Sequence, residues 1–439
     1  MCLVDFYWKT AMPALNRSLR AAAGLAGAIS FLFSTVATAA GAWITENGGP
    51  DMAMASAGRA AIATNGSTIA ANPAGLARLE RPGVVIAALP ARLDLEFHGT
   101  GDTAGRARNE SPAIPMASAF AATRAGRWGA GLGAYSNVGL GFDFGEEWVG
   151  SRIIQQAELR TLNLAPAVAY RLSDRLDAGA SVGAQYASAS ASVAAGNDAL
   201  YYGPPAGLAD GQIRMSGDAW APVASVGLAY RGDDGTTLGV AWTSAVEQSM
   251  DLAVRASGLH PMLGGLLQQQ GPATLDLHMP QQVTASITRP IGHATMLAAS
   301  AGWQQWSDFG ESKLRVAGRA SPLFGQGLAD TWNVALGLEH ALDPRWTLAG
   351  GVAYDSDPSR DGTMPIYFPV AEQLRVAAGL GFRASDSLRL RMSVSLVDQG
   401  TIRVDQASHP LPLPGIPPLT GTIRDSRIYV FGFTADYRP

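Results

Sequence analysis

The 439-residue chain has a formal net charge of −4 and no basic block, which excludes a protein that binds nucleic acid through a positive surface. Charged residues make up only 15% of the chain, against about 25% in a typical soluble domain. The single cysteine, Cys2, excludes an intramolecular disulfide. Hydrophobic residues reach 47%, yet after residue 40 no apolar run attains the roughly 18 residues of a membrane helix. Together with 51 glycines, this divided apolar content favours many short strands joined by turns.

The N-terminus predicts a signal peptide over residues 1–39. Arg17 and Arg20 precede an apolar stretch at residues 21–37, and Ala-Thr-Ala at 37–39 fits a cleavage site. The true start could then be Met12, and the mature chain begins near Ala40. A membrane anchor is the alternative, but the apolar stretch is short and ends in small residues. The mature chain would keep 29 basic and 35 acidic residues, a net charge of −6.

Residues 40–83 show no alternation, and we treat them as a separate N-terminal segment. Asn72 followed by Pro73 predicts a helix start, because the Asn side chain accepts from a free amide and Pro is preset for the first helical position. The helix is expected over residues 74–80. A segment this short has little core of its own and must pack on something. A plug inside a barrel, a periplasmic cap and a disordered leader all remain open on these grounds.

From residue 84 onward, apolar and polar residues alternate, as in strands. A soluble sandwich alternates too, but two details favour a transmembrane barrel. Trp346 and Tyr354 lie eight residues apart on one face, roughly 20 Å along a tilted strand, close to the spacing of aromatic girdles. Short turns also alternate with long loops. We predict an all-β fold, a transmembrane antiparallel β-barrel of about 14 strands spanning residues 84–439, with strands near 84–98, 115–125, 128–144, 155–171, 176–194, 212–231, 236–256, 273–290, 294–317, 328–341, 345–356, 370–384, 387–405 and 421–438.

The stretch SAGRAAIATNGSTIAANPAGLARL, at residues 56–79, resembles the N-terminal hatch of the FadL/TodX family of outer-membrane transporters for long-chain fatty acids and other hydrophobic compounds. The match rests on Gly58, Arg59, Asn72, Pro73 and Ala74. Residues 131–144, 303–309 and 341–358 also resemble this family, so the likeness spans nearly the whole mature chain. One departure lies at the C-terminus, where Arg438 and Pro439 follow the aromatic residue that usually ends such barrels.

The resemblance implies a fold, a route and a set of partners. The hatch would plug the barrel, and a kink in the third strand would open the wall, so that ligand enters from outside and leaves sideways into the membrane. Asn72 would be held against that kink, near Ser136, Asn137 and Gly139. Glycine in a strand often marks a bend, although ordinary tight packing is the alternative. The expected partners are hydrophobic small molecules such as fatty acids, outer-membrane lipid and the barrel-insertion machinery, with no cofactor and no nucleic acid.

Two further groups of residues are candidates for ligand contact. Apolar side chains recur at helical spacing in a long loop, and we expect them to form a ligand docking surface, with packing against a neighbouring loop as the alternative: Leu259, Met262, Leu263, Leu266 and Leu267. Arg375, Arg389 and Arg391 are expected to face the lumen, because a charge on the lipid side would be costly. One of them could pair a ligand carboxylate, or all could form salt bridges within the lumen.

These patterns predict a passive bacterial outer-membrane transporter for hydrophobic molecules, and not an enzyme. An outer-membrane lipid hydrolase is one alternative. The sequence GASVG at 179–183 matches G-x-S-x-G, but a nucleophile elbow needs a strand–turn–helix, and this match falls within an alternating strand. A general aqueous porin is the second alternative, which the hatch-like segment disfavours. The histidines show no metal-binding spacing.

Overall fold

A computed structural model of the protein describes residues 45, 47–111, 113, 115–196, 209–261, 264–265, 271–316, 318–407 and 418–439. Within this part of the chain, fourteen antiparallel strands close into a barrel, as the sequence predicts. Several strands are interrupted, and we number the wall strands in chain order: β1 (Gly83–Ala88, Ala91–Gly99), β2 (Gly105–Arg108, Ala117–Ala125), β3 (Trp128–Tyr135, Gly139–Asp143), β4 (Gln156–Arg171), β5 (Leu176–Ala195), β6 (Gly211–Arg231), β7 (Thr237–Thr243, Val246–Ser257), β8 (Ala273–Met279, Gln282–Ile291), β9 (Thr295–Gln304, Lys313–Val316), β10 (Thr331–Ala341), β11 (Trp346–Asp355), β12 (Gln373–Arg383), β13 (Leu388–Asp398, Ile402–Asp405) and β14 (Thr420–Tyr437).

The barrel closes because β14 pairs on one side with β13 and on the other with β1. Tyr437 lies opposite both Val84 and Leu388. The remaining strands pair with their neighbours in chain order, and a further short strand, Arg319–Pro322, pairs with Lys313–Val316 beyond the wall. Helical turns cover Pro50–Met54, Thr68–Ala71, Pro73–Arg78, Gly101–Thr103 and Trp306–Phe309. None of the described helices combines the length and hydropathy needed to cross a bilayer.

The outer surface carries an apolar band between aromatic pairs, as expected for a membrane-spanning barrel. The alternating face of β10 points outward, and its Leu336 is 64% exposed. At one end of the strands Trp346 packs on Phe382, with ring centroids 4.5 Å apart. At the other end Trp332 packs on Tyr354, at 5.4 Å. The predicted girdle positions of Trp346 and Tyr354 are therefore confirmed.

The prediction of one continuous ninth strand over 294–317 is wrong. The strand ends at Gln304, and Trp306–Phe309 forms a helical turn before pairing resumes at Lys313. Trp306 and Phe309 are buried against Phe368 in the lumen, with ring centroids 5.9 and 5.1 Å away. Burial of these rings outweighs the continuation of the ladder, because large aromatic side chains dominate core energetics.

The N-terminal segment lies inside the lumen. We call its described part, residues 45 and 47–82, the hatch. Most of its residues from Asn47 to Leu79 are buried. Above it, on the side of the long loops, a large apolar cluster fills the lumen, and we call this the lumenal cluster. Its largest side chains come from β1, β3, the helical turn within β9 and the long loops: Phe97, Phe142, Phe144, Trp148, Trp306, Phe309, Phe324 and Phe368.

Candidate functional site

Asn72 begins the second half of the hatch, as the sequence predicts. Its side-chain Oδ1 accepts from the backbone N–H of Ala74 at 3.1 Å, and Pro73 occupies the first helical position. The helix is a tight 3-10 helix that ends at Arg78 instead of reaching Glu80. A preceding helical turn, Thr68–Ala71, is closed by the hydroxyl of Thr68, which donates to the carbonyl of Asn72 at 2.7 Å.

The predicted contact between Asn72 and the third strand is wrong. The Asn72 amide donates to the carbonyl of Leu228 in β6 at 3.0 Å and to the carbonyl of Ala60 at 2.7 Å. Both amide hydrogens are thus used on β6 and on the hatch itself. The hatch meets β3 through the backbone of Leu76, which lies against Gly129, and through Ile69, which shares an apolar cluster with Tyr135, the last residue of the first half of β3. Asn72 therefore fixes the hatch to the wall on the side of β6.

Gly58 and Arg59 hold the hatch in its folded shape. Gly58 has φ of +79°, and a Cβ there would lie 2.9 Å from the Cβ of Ala298, so both backbone conformation and space require glycine. Its N–H donates to the Ser300 hydroxyl of β9 at 2.8 Å. Arg59 is buried and donates to the carbonyl of Ala70 at 3.5 Å, which joins the two halves of the hatch.

A ring of inward-facing glycines brings the wall into direct contact with the hatch. At five of them an added Cβ would lie between 1.8 and 2.4 Å from a hatch atom: Gly129, Gly179, Gly227, Gly239 and Gly351. Such distances leave no room for any side chain. This ring was not predicted, although glycines that recur at inward positions of several strands are a sequence signal for it.

Polar anchors complete the seating of the hatch. The Arg78 guanidinium pairs with the buried carboxylate of Asp177 in β5 and donates to the carbonyl of Asp174 at 2.8 Å. The Asn65 amide donates to the carboxylate of Asp436 in β14 at 3.2 Å. The hatch is therefore bonded to both sides of the barrel.

The third strand is broken where the resemblance predicts a kink. Tyr135 lies opposite Asn163, whereas Gly139 lies opposite Arg160, so three residues of β3 face two residues of β4. This one-residue insertion is a β-bulge. The hydroxyl of Thr161 bridges it, donating to the carbonyl of Val138 at 2.6 Å and accepting from the N–H of Val138 at 3.1 Å.

The break also interrupts the wall on the side of β2. Pairing with β2 ends at Ala119 opposite Ala134. The next backbone contact is the N–H of Glu110, which donates to the carbonyl of Asp143 at 2.7 Å. Between these points, residues 136–142 make no backbone hydrogen bond to β2 within the described chain. We call this feature the strand-three gap.

Beyond the gap the chain turns inward. Residues 138–142 are buried in succession, whereas a regular wall strand exposes every second residue to lipid. Leu140 and Phe142 belong to the lumenal cluster, and the rings of Phe142 and Phe144 lie 5.1 Å apart. The lumenal cluster therefore reaches the wall at the strand-three gap.

The chain is similar in sequence and in fold to known proteins. A sequence model of the outer membrane protein transport protein family (OMPP1/FadL/TodX) matches residues 30–438. The chain belongs to this family. It is an outer-membrane β-barrel protein, as the sequence predicts.

Relatives and solved structures agree with this assignment. The long-chain fatty acid transport protein of Escherichia coli K12 is 24% identical over 443 residues, covering 93% of this chain and 98% of the relative. The long-chain fatty acid transport protein of E. coli strain CFT073 is 26% identical over 409 residues, covering 87% of this chain and 91% of the relative. A FadL homologue from Pseudomonas aeruginosa superposes with a TM-score of 0.79 at 19% identity, covering 91% of this chain and all of that one. The toluene transporter TodX of P. putida superposes with a TM-score of 0.66 at 14% sequence identity, covering 92% of this chain and 99% of that one. At these identities the structures show the fold alone, while the named relatives are transport proteins.

Arg375 lies where a lumenal cleft meets the hatch. Its guanidinium donates to the hydroxyls of Thr45 and Ser56, the latter at 3.5 Å. The same residue lines a narrow cleft of about 20 Å³, together with Gln304, Trp306, Thr331, Asp355 and Val370. Arg375 and Asp355 are the charged residues of that lining.

The other two candidate arginines lie near the opposite end of the strands. Arg391 lines a second cleft, between the hatch and β12–β14, and its Nη1 is 3.9 Å from the Asp436 carboxylate. Arg389 lies opposite Asp436 in the β13–β14 ladder. The structure therefore separates Arg375 from Arg389 and Arg391, and Arg375 alone of the three borders the cleft lined by Trp306.

Two remaining sequence features have plain outcomes. Of the predicted docking residues, Leu259 is half-buried beside Gly211, whereas Met262, Leu263, Leu266 and Leu267 lie outside the described residues. Ser181, in the G-x-S-x-G match, lies within β5, and its hydroxyl is 2.9 Å from the hydroxyl of Ser225. It does not occupy the strand–turn–helix that a nucleophile elbow requires.

Proposed function

We propose that this protein carries hydrophobic molecules, long-chain fatty acids or similar amphiphiles, passively across the outer leaflet of the outer membrane and releases them sideways through the strand-three gap. The observation that carries this proposal is the interruption of the wall at residues 136–142 in a barrel whose lumen is closed by the hatch. A solute that enters from outside meets an apolar lumen, a plug and one break in the third strand.

The physical reason for a sideways route lies in the solute. Each methylene moved from water into apolar surroundings gains about 0.8 kcal/mol, so an alkyl chain is strongly disfavoured in an aqueous channel. The lumenal cluster offers apolar contact up to Leu140 and Phe142 at the gap. Release into the bilayer completes the route without exposing the ligand's alkyl chain to water. No energy source is needed, because affinity for successive sites and for the bilayer sets the direction.

Entry and binding follow from two groups of side chains. Leu259, Met262, Leu263, Leu266 and Leu267 would supply an apolar docking surface for ligand on a long loop. Arg375 would pair a ligand carboxylate in the cleft lined by Trp306 and Val370, since a guanidinium is suited to bidentate carboxylate binding. Arg391 and Arg389 are weaker candidates, because neither borders the cleft lined by Trp306.

The proposal is tested by removing the one-residue insertion. Deleting Ser136 leaves two residues of β3 opposite two of β4, so β3 can continue in register along β4. This keeps the residues after the deletion in the wall alongside β2 and closes the gap. Ser136→Ala is the matched control, because it keeps the insertion. Uptake of labelled oleate is measured in cells lacking their own fatty-acid transporter. We expect uptake with the native chain and with Ser136→Ala, and loss with the deletion. Equal uptake by the folded deletion variant would rule out exit through the gap.

A further inference from the structure

Four uncharged amide side chains form a hydrogen-bonded row beside the strand-three gap, and we call them the amide row. They come from four strands: Asn137 at the gap, Asn163 in β4, Gln185 in β5 and Gln248 in β7. Asn163 Nδ2 donates to Asn137 Oδ1 at 2.8 Å, and Gln185 Nε2 donates to Asn163 Oδ1 at 3.0 Å. Gln248 Nε2 donates to the backbone carbonyl of Gln185 at 3.2 Å. The row thus runs from the lumen to the gap.

The hydrogen bonds give the row a direction. Asn163 donates to Tyr135 as well as to Asn137, and Gln185 donates to both Asn137 and Asn163. The side-chain nitrogen of Gln248 donates to the Gln185 carbonyl. The side-chain oxygen of Gln248 is therefore the atom that is left to accept a hydrogen bond. That oxygen, Gln248 Oε1, is buried and has no hydrogen-bond partner in the described chain. The row therefore presents one free acceptor on its lumenal side.

The surroundings of this acceptor are apolar. Asn163 and Gln185 are fully buried, and Gln248 is 3% exposed. Val246 and Met250, which flank Gln248 on the inward face of β7, both belong to the lumenal cluster. A buried polar atom without a partner is unfavourable in such surroundings. A ligand group that donates a hydrogen bond would remove this penalty.

The row is also uncharged. The nearest charged residues on β4, Glu158 and Arg160, pair with each other. Because side chains alternate along a strand, these two lie on the opposite face of β4 from Asn163. An ionised carboxylate carries no hydrogen to donate to Gln248 Oε1, and a hydrocarbon carries none either. A hydroxyl group or an un-ionised carboxyl group does.

We propose that the amide row selects, along the exit route, for amphiphiles with an uncharged hydrogen-bond-donating head group, of which a long-chain alcohol is the simplest example. The head group donates to Gln248 Oε1 while the tail lies in the lumenal cluster beside the gap. This inference rests on the proposed transport function and adds the head-group chemistry to it. Hydrocarbons of the same length pass without this contact.

The test compares labelled dodecan-1-ol and dodecane, supplied together to cells that express the protein, with vector-only cells as baseline. Gln248→Met keeps the length of the side chain but removes the free acceptor, together with the donor to the Gln185 carbonyl. Because one hydrogen bond of this kind contributes modestly, we expect the alcohol-to-alkane uptake ratio to fall roughly two- to tenfold. Gln399→Met is the matched control. Gln399 is equally buried, but its oxygen accepts from Ser426 at 2.8 Å, away from the row.

The outcomes separate the two proposals. Uptake of neither compound above the baseline by the native chain would contradict the transport function itself. Uptake of both compounds by the native chain, with an unchanged alcohol-to-alkane uptake ratio in folded Gln248→Met, would overturn the amide-row inference. The proposed transport function would then be unaffected. If Gln248→Met does not fold, Gln248→Asn is read instead. It withdraws the acceptor by one methylene and should lower the ratio in the same direction, and an unchanged ratio would again overturn the inference.

Discussion

Gly239 of β7 offers a direct way to unseat the hatch without touching the gap. A Cβ at this position would lie 1.8 Å from the carbonyl oxygen of Ala60 and 2.4 Å from its carbon. Both are backbone atoms, so relief requires the hatch to move. Ala60 also accepts from the Asn72 amide at 2.7 Å and donates to the Ser286 hydroxyl at 3.1 Å. The substitution Gly239→Ala therefore breaks a packed and bonded contact at once.

The size of the effect follows from these contacts. Overpacking costs about 1–3 kcal/mol, and each lost hydrogen bond costs about 0.5–1.5 kcal/mol. The hatch of Gly239→Ala should then be destabilised in its seat by about 2–6 kcal/mol. This corresponds to an increase of roughly 30-fold or more in the unseated population.

The assay is the labelling rate of a cysteine placed in the hatch. Ser67→Cys is nearly isosteric, and Ser67 is 7% exposed. The native Cys2 lies in the predicted signal peptide. A polar maleimide should label Ser67→Cys at least 30-fold faster in the Gly239→Ala background. Gly350→Ala is the control, since a Cβ there has only the carbonyl of Ala377 within 4 Å, at 3.6 Å. Equally slow labelling with and without Gly239→Ala would refute the seating of the hatch on β7.

Four further substitutions separate the other contacts. Asn72→Ala loses the helix cap, worth about 0.5–2 kcal/mol, and the donors to Ala60 and Leu228, so hatch labelling should rise. Asn72→Asp keeps the acceptor for Ala74 but buries a carboxylate oxygen against the carbonyls of Ala60 and Leu228, so it should raise labelling further; a smaller rise than with Asn72→Ala would contradict the contact of Asn72 with these carbonyls. Arg78→Met leaves Asp177 buried beside its more distant partner Arg171, 4.0 Å away. Because removing one partner of a buried pair costs about 3–5 kcal/mol, the hatch C-terminus should become exposed to protease. Unchanged protection from protease would contradict a role of Arg78 as an anchor. Arg375→Gln should weaken binding of labelled oleate to the purified barrel but not of dodecane, and an unaltered oleate affinity would exclude carboxylate pairing at Arg375.

Features set by local alternation were predictable from the sequence. The fourteen strands, the short turns and the girdle positions of Trp346 and Tyr354 follow from the polarity of neighbouring residues. The helix start at Asn72 is likewise local, because its cap involves only Ala74. The ninth strand was misread although the spacing of Trp306 and Phe309 carried a warning, because residues three apart share a face of a helical turn but fall on opposite faces of a strand. Only the lumenal partner Phe368 shows why they leave the wall.

Features set by contacts between distant strands were not predictable. Asn72 bonds to Leu228, 156 residues away, and no local pattern specifies that partner. The insertion in β3 becomes visible only when its register with Asn163 and Arg160 is compared. The amide row had a weak signal, since Asn163, Gln185 and Gln248 are amides at positions that face inward. That signal requires the registers of four strands before it indicates a cluster.

Lateral exit is tested most directly by tracing the ligand along its route. A fatty acid carrying a diazirine at its chain end is supplied to cells expressing the native chain, activated by light during uptake, and its adducts are located by mass spectrometry. Exit through the gap predicts adducts on residues 136–142 of β3 and on adjacent outer-leaflet lipid. Adducts on the hatch around Arg78 and on the turn at Asp174, with residues 136–142 unlabelled, would show passage through the plug and contradict lateral exit.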